Sequence, residues 1–218
     1  MHLPVEIRTP RLLLRRQQPD DARLIKDAVD TSLHHLQSSV AWAQSAPEPL
    51  AELAGRLAGS AAAFDAGSAW AFSILDLSAT RVLGGVALEP AEAALLALAG
   101  PASVEVGYWL RADAIGSGYA TEATACLVDL AFSRLDAQRV AICHDPVNAA
   151  SAGVPRRLGF RSLGLVADAV LPGRKNAHGS VRAETMVWVL DASDRSSVGV
   201  LPRAPHPAAH DSRRDDEG

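Results

Sequence analysis

The chain has 218 residues, 48% hydrophobic and 21% charged, the balance of a soluble globular protein with length enough for one real core. Its formal net charge of −4 excludes a general nucleic-acid binder, whose affinity rests on a basic surface. The cysteines, Cys126 and Cys143, make neither a disulfide framework nor a paired metal motif.

The N-terminus, MHLPVEIRTPR, lacks the apolar core of a signal peptide. No apolar run is long enough to cross a bilayer, so a cytoplasmic protein without membrane or nucleic-acid partners is expected. Arg11 to Arg16 (RLLLRR) reads as a strand. Pro19-Asp20-Asp21 starts a helix, with proline early and carboxylates in the first turn. Ala22, Leu24, Ile25, Ala28, Val29 and Leu33 give that helix its apolar stripe. The adjacent His34 and His35 do not face one way, so no shared metal is expected. The stretch then runs to Trp42.

Pro47 to Ala66 is alanine-rich and predicts a helix. Gly55 and Gly59 each weaken it by about 1 kcal/mol relative to Ala, and their spacing suggests close helix packing. Trp70 to Leu75 and Arg81 to Leu88 are strands joined by a turn near Ser78. Glu89 to Pro101 is longer than a hairpin needs and has an apolar centre fit for a short helix, a core plug or an oligomer contact. It brings Glu89 and Glu92 near the next strand.

Ser103 to Phe160 organises the rest. Val104, Val106 and Tyr108 alternate with Glu105 and Gly107, the two-residue period of a strand. Gly116-Ser117-Gly118 follows, and from Tyr119 the apolar residues recur at helical spacing. The first amides of a helix lack internal partners and carry partial positive charge. A glycine turn opening into a helix therefore suits a pyrophosphate, although such turns also serve only to join a strand tightly to a helix. Arg139 to Cys143 is a short strand, and Asn148 to Leu158 returns to helix. Strands near Ser162 to Leu171 and Ala183 to Leu190 close the pattern. From Asp191 the composition turns to Ser, Pro, Arg and Asp. One domain over residues 1–190 and a mobile tail over 191–218 are expected.

The pieces VEVGYWL (Val104 to Leu110), GSGYATEA (Gly116 to Ala123), DPVNAAS (Asp145 to Ser151) and RRLGF (Arg156 to Phe160), in that order, resemble the acetyl-CoA-binding core of the GNAT N-acetyltransferases. The branch they resemble includes the RimJ/RimL-type ribosomal-protein enzymes, and the likeness extends loosely from Thr9 to about Leu190. It implies an α/β (α+β) GNAT fold. The mixed central sheet has about seven strands, splayed central parallel strands and flanking helices. Two positions depart from the family. Asp113 stands where Arg or Gln is usual, and must point away from a pyrophosphate. Pro155 stands where many relatives outside the branch carry a Tyr that protonates the leaving thiolate.

The resemblance implies acetyl transfer from acetyl-CoA to a primary amine by direct attack in a ternary complex, without metal. Tyr108, Trp109, Leu110 and Arg111 would hold the pantetheine. The amides around Ile115, Gly116, Ser117, Gly118, Tyr119 and Ala120 would hold the pyrophosphate. Asn148 would bond the pantetheine and Ser151 the thiolate, the alternative for both being helix capping. Glu105 is the first candidate for general base, Glu184 the second and Asp168 the third. His144 is expected to be buried and satisfied, and Glu122 to brace the structure. Trp42, Glu89, Glu105 and Glu184 would meet the acceptor. Their carboxylates lean the expectation towards a small-molecule amine such as an aminoglycoside, as in the kasugamycin-type 2′-N-acetyltransferases. The alternatives are the N-terminus of a ribosomal or other protein, and a non-catalytic acyl-CoA-binding module. A homodimer is a further expectation.

Overall fold

The computed structural model describes residues 3–38, 40–172, 174, 180 and 183–197. Its centre is an eight-stranded sheet in the order β1-β2-β3-β4-β5-β6-β8-β7. The strands are β1 (Glu6–Arg8), β2 (Leu12–Arg16), β3 (Trp70–Asp76), β4 (Val82–Pro90), β5 (Ser103–Leu110), β6 (Arg139–His144), β7 (Arg161–Ala167) and β8 (Glu184–Asp191). The helices are α1 (Ala22–Asp30), α2 (Leu33–Gln37), α3 (Leu50–Ala66), α4 (Ala93–Ala99), α5 (Tyr119–Arg134) and α6 (Ala149–Arg157). The mixed sheet with flanking helices matches the expected architecture, with one strand more. That strand, β1, has three residues, too few to show an alternation.

Consecutive apolar residues in β2 serve both faces of the sheet. Leu12 and Leu14 enter a core with Ala123, Leu127 and Val128 of α5, and with Val154 of α6. Leu13 enters a second core with Ile25 and Val29 of α1, Leu36 of α2, and Leu53 and Leu57 of α3. Side chains two apart on a strand share a face, so a strand buried on both sides reads as an unbroken apolar run. A third core joins Leu95 and Ala99 of α4 to Ala141 of β6 and to Val187 and Val189 of β8.

Three helical boundaries differ from expectation. The helix after Pro19 opens with a 3-10 turn (Pro19–Asp21) and stops at Asp30, and α2 is separate. The next helix begins at Leu50, because Pro49 pushes Glu48 away from helical backbone. Gly55 and Gly59 are not packing contacts: a Cβ at either would meet nothing within 4 Å. At the C-terminal end, β8 reaches Asp191 and a 3-10 helix covers Ala192–Ser197. Residues 198–218 of the expected tail lie outside the described residues.

Every strand pairing in the sheet is antiparallel except β5 with β6. That parallel pairing covers Ser103↔Arg139, Val104↔Val140 and Glu105↔Ala141 only. On its other edge β5 stays paired with β4 as far as Leu110. From Val106 and Ile142 onward the two central strands part, and a wedge opens between them.

Candidate active site

The wedge leads into a cavity of about 1180 Å³, lined by β4, β5, β6, the glycine turn, the start of α6 and the α2 region. One wall is the glycine turn. Gly116 and Gly118 have φ of 76° and 79°, the left-handed region that glycine enters without steric cost. Gly118 is the N-cap of α5. None of the backbone amides of Ile115 to Ala120 donates to an acceptor among the described residues. A cluster of unpaired amides at a helix N-terminus fits a diphosphate.

The turn is fixed by its neighbours. Arg11 donates from Nη1 to the Ser117 carbonyl at 2.8 Å and from Nε to Glu122 Oε2 at 2.7 Å. Its guanidinium lies 5.0 Å from the Tyr119 ring centroid. Glu122 is buried and also accepts from Thr9 Oγ1 at 2.6 Å and the Arg11 amide at 3.0 Å. Glu122 thus braces the turn against the β1–β2 connection. Asp113 is drawn off to Arg81 and Arg111. Desolvation would raise its pKa, but the charges of Arg111 and Arg81 outweigh it and hold the carboxyl below its usual range.

The opposite wall is the start of α6. Asn148 accepts from the Ser151 amide at 3.0 Å and so caps the helix. Both residues line the cavity. Tyr108 reaches across from β5, and its hydroxyl donates to the Ser151 carbonyl at 2.8 Å. Burial pushes the Tyr108 hydroxyl up to about 12, against the opposing hydrogen bond to Ser151.

The floor on the acceptor side comes from alternate residues of adjacent strands: Gly85, Ala87 and Glu89 of β4, and Gly107 and Trp109 of β5. Trp109 lies over Gly85, where a Cβ would come within 2.5 Å of the indole nitrogen. Trp42 packs edge-on to Trp109 at 5.6 Å between centroids.

Tyr108, Trp109, Leu110, Ile115, Gly116, Ser117, Gly118, Ala120, Asn148, Ser151, Trp42 and Glu89 all line this one cavity. Glu105, Arg111, Tyr119 and Glu184 are not among its lining residues. The Arg111 guanidinium is buried and bonds Asp113 and the Val82 carbonyl. Tyr119 is under Arg11. Glu184 is exposed at the start of β8. Glu105 accepts from Arg174 Nη1 and Nη2, each at 2.7 Å, and Arg174 also reaches Glu92 at 2.8 Å. Desolvation would lower the Arg174 pKa, but Glu105, with Cys143 and Glu92, outweighs it and holds the guanidinium more firmly protonated.

His144 also lines the cavity. The Trp188 indole N–H can only donate, and it donates to His144 Nε2 at 3.0 Å. Nδ1 therefore carries the ring proton and donates to the Asp145 carbonyl at 2.8 Å. His144 is buried, neutral and satisfied. Among the described residues no group of three His, Cys, Asp or Glu side chains could hold a metal ion. None of the described helices is long and apolar enough to cross a membrane.

The comparisons with known proteins agree with this geometry. A family model described as an acetyltransferase (GNAT) domain matches residues 11–161. YdaF of Bacillus subtilis (strain 168), which carries a provisional name as a ribosomal N-acetyltransferase, is 41% identical over 64 residues. That match spans 29% of this chain and 35% of YdaF. The microcin C7 self-immunity acetyltransferase MccE, solved with acetyl-CoA and AMP, has a TM-score of 0.72 at 18% identity, over 87% of this chain and 97% of that one. RimL, a ribosomal L7/L12 α-N-protein acetyltransferase solved with coenzyme A, has a TM-score of 0.71 at 20% identity, over 89% of this chain and 99% of that one. At these identities the structural likeness speaks for the fold.

The expected small-molecule acceptor is corrected. YdaF, RimL and two Vibrio enzymes are named for ribosomal-protein acetylation. The expectation also counted Glu89, Glu92, Glu105 and Glu184 as free charges for a polycation. Arg174 occupies Glu92 and Glu105, which removes half of that set.

Proposed function

Since the chain belongs to the GNAT acetyltransferase family, we propose that it acetylates the N-terminal amine of a protein, in the manner for which its ribosomal relatives are named. Acetyl-CoA is the donor, and transfer is by direct attack while both substrates are bound. The observation that carries the acetyl-CoA half of this reading is the continuity of the wedge with the unpaired amides of the glycine turn. One holds an extended thiol arm and the other its diphosphate.

Acetyl-CoA supplies an activated acyl group as a thioester. The amides of Ile115 to Ala120 bind its diphosphate, and the unpaired edge of β5 from Val106 to Leu110 binds the arm as a further strand would. Asn148, whose Oδ1 is used in the cap, has its amide hydrogens left for the arm. The Ser151 hydroxyl stands at the head of α6 for the departing sulfur. Trp42 and Trp109 form the aromatic side of the entrance that the acceptor chain crosses.

The test is direct. The protein is incubated with acetyl-CoA and unacetylated ribosomal proteins, and the products are mapped by peptide mass spectrometry. Acetyl groups confined to α-amines support the reading. Acetylation of lysine side chains alone, or of none, rejects it.

A further inference from the structure

We infer that Glu89, rather than Glu105, receives the proton that the acceptor amine must lose. The inference rests on the amine-acetylation reading above and assigns its proton acceptor.

Glu105 and Glu89 are opposite one another on β5 and β4, so their side chains leave the same face of the sheet. Their surroundings differ. Both oxygens of Glu105 accept from Arg174, which lies between Glu105 and Glu92. A carboxylate whose two oxygens both accept from one guanidinium is held in place with its lone pairs engaged. Glu89 is exposed, lines the cavity and has no partner among the described residues. It stands in register with Glu105, the last residue of β5 that pairs with β6, at the apex from which the wedge opens.

Three other groups of the lining, Tyr108, His144 and Arg157, are engaged or unsuited. Tyr108 spends its proton on the Ser151 carbonyl. The His144 lone pair is taken by Trp188. Arg157 is a cation and cannot accept a proton. Glu89 is the one carboxylate among the lining residues, and His35 of α2 is the titratable group on the facing wall. Of the charged groups on neighbouring elements, Glu105 is opposite Glu89 in the strand pair and is itself paired with Arg174, which also reaches Glu92.

The step balances as follows. The α-ammonium gives one proton to the Glu89 carboxylate, directly or through a water. The neutral nitrogen then bonds the acyl carbon as the C–S bond breaks. The nitrogen's second proton ends on the sulfur, leaving an amide, a free thiol and a protonated Glu89.

The experiment uses the full chain and two readouts of thiol release: acetylation of a short peptide with a free alanine or serine N-terminus, and slow hydrolysis of acetyl-CoA with no acceptor present. Glu89→Gln should lower kcat by about 10²- to 10⁴-fold and flatten the acid limb of the pH–rate profile. Its acetyl-CoA affinity should match wild type, which shows that the fold is intact. If Glu89→Gln keeps kcat within the same order of magnitude while Glu105→Gln or His35→Gln loses it, the assignment is overturned. If wild type hydrolyses acetyl-CoA but leaves every peptide untouched, the acceptor reading falls. The proton acceptor is then decided by hydrolysis alone: loss in Glu89→Gln supports the assignment and retention overturns it.

Discussion

The hydroxyl of Tyr108 donates to the backbone carbonyl of Ser151 at 2.8 Å, and that carbonyl is the one Pro155 leaves without a helical partner. In an α-helix the carbonyl of residue 151 would accept from the amide of residue 155. Proline has no amide hydrogen, and Pro155 lies inside α6. A side chain from β5 thus completes the helix across the wedge.

This relationship predicts a coupling. Tyr108→Phe leaves the Ser151 carbonyl unpaired and should cost about 1–3 kcal/mol. Pro155→Ala restores an amide hydrogen at the required place, so Tyr108→Phe should cost less in that background. Denaturant titrations of the two single variants and the double variant measure the difference. Strict additivity would show that the proline and the tyrosine are unrelated.

The glycine turn predicts a thermal shift. At a hundredfold excess over its dissociation constant, acetyl-CoA should stabilise the fold by about 2.7 kcal/mol. Gly118→Ala forces a side chain into the left-handed region, at roughly 1–2 kcal/mol, and should weaken acetyl-CoA binding. Calorimetry on the variant checks this, and an unchanged affinity would remove the turn from the donor site.

Arg11 is expected to act through the turn. Arg11→Met removes the bonds to Ser117 and Glu122. It should raise the dissociation constant of acetyl-CoA while leaving the acceptor KM near wild type. A rise in acceptor KM alone would contradict the placement.

Asn148 and Ser151 should separate. Asn148→Ala loses the cap on α6 and should cost about 1 kcal/mol of stability. Ser151→Ala keeps the cap, which uses its backbone amide, and should lower kcat more than it weakens acetyl-CoA binding. Steady-state kinetics beside thermal melts distinguish the two. A Ser151→Ala variant that only melts earlier would assign the serine to structure.

Alkaline pH should destabilise the protein through two half-buried groups. The Cys126 thiol is pushed up to about 12, mainly by burial and then by Asp129 and Glu122. The Tyr108 hydroxyl is also pushed up to about 12, by burial. Both hold their protons more tightly when folded than when unfolded. Their contribution is therefore complete below the unfolded values of 9.0 and 10.0 and is lost as pH rises towards 12. Melting temperatures measured through this window should fall, and Cys126→Ala should fall less steeply at its lower end.

Local pattern carried most of the fold and marked the glycine turn that walls the cavity. Alternation marked β5, and the glycine turn stood out by composition. The bracing contacts were hidden because they join distant parts of the chain. Arg11 and Glu122 are 111 residues apart, and Glu105 and Arg174 are 69 apart. No periodicity in either segment announces such a pair. For the same reason the sequence put Glu105 first among the candidate bases, although an arginine from another loop occupies it together with Glu92.

The lone parallel pairing has a consequence for how the chain must be connected. Antiparallel neighbours can be joined by a short hairpin, but a parallel neighbour requires the chain to travel back along the sheet first. Between β5 and β6 that return trip is α5. It must begin where β5 ends, which is the end at which the strands diverge. The unpaired amides of the glycine turn therefore arrive at the mouth of the gap as a by-product of connectivity. Relocating the chain ends into residues 111–118 would sever the glycine turn and the crossover in one cut.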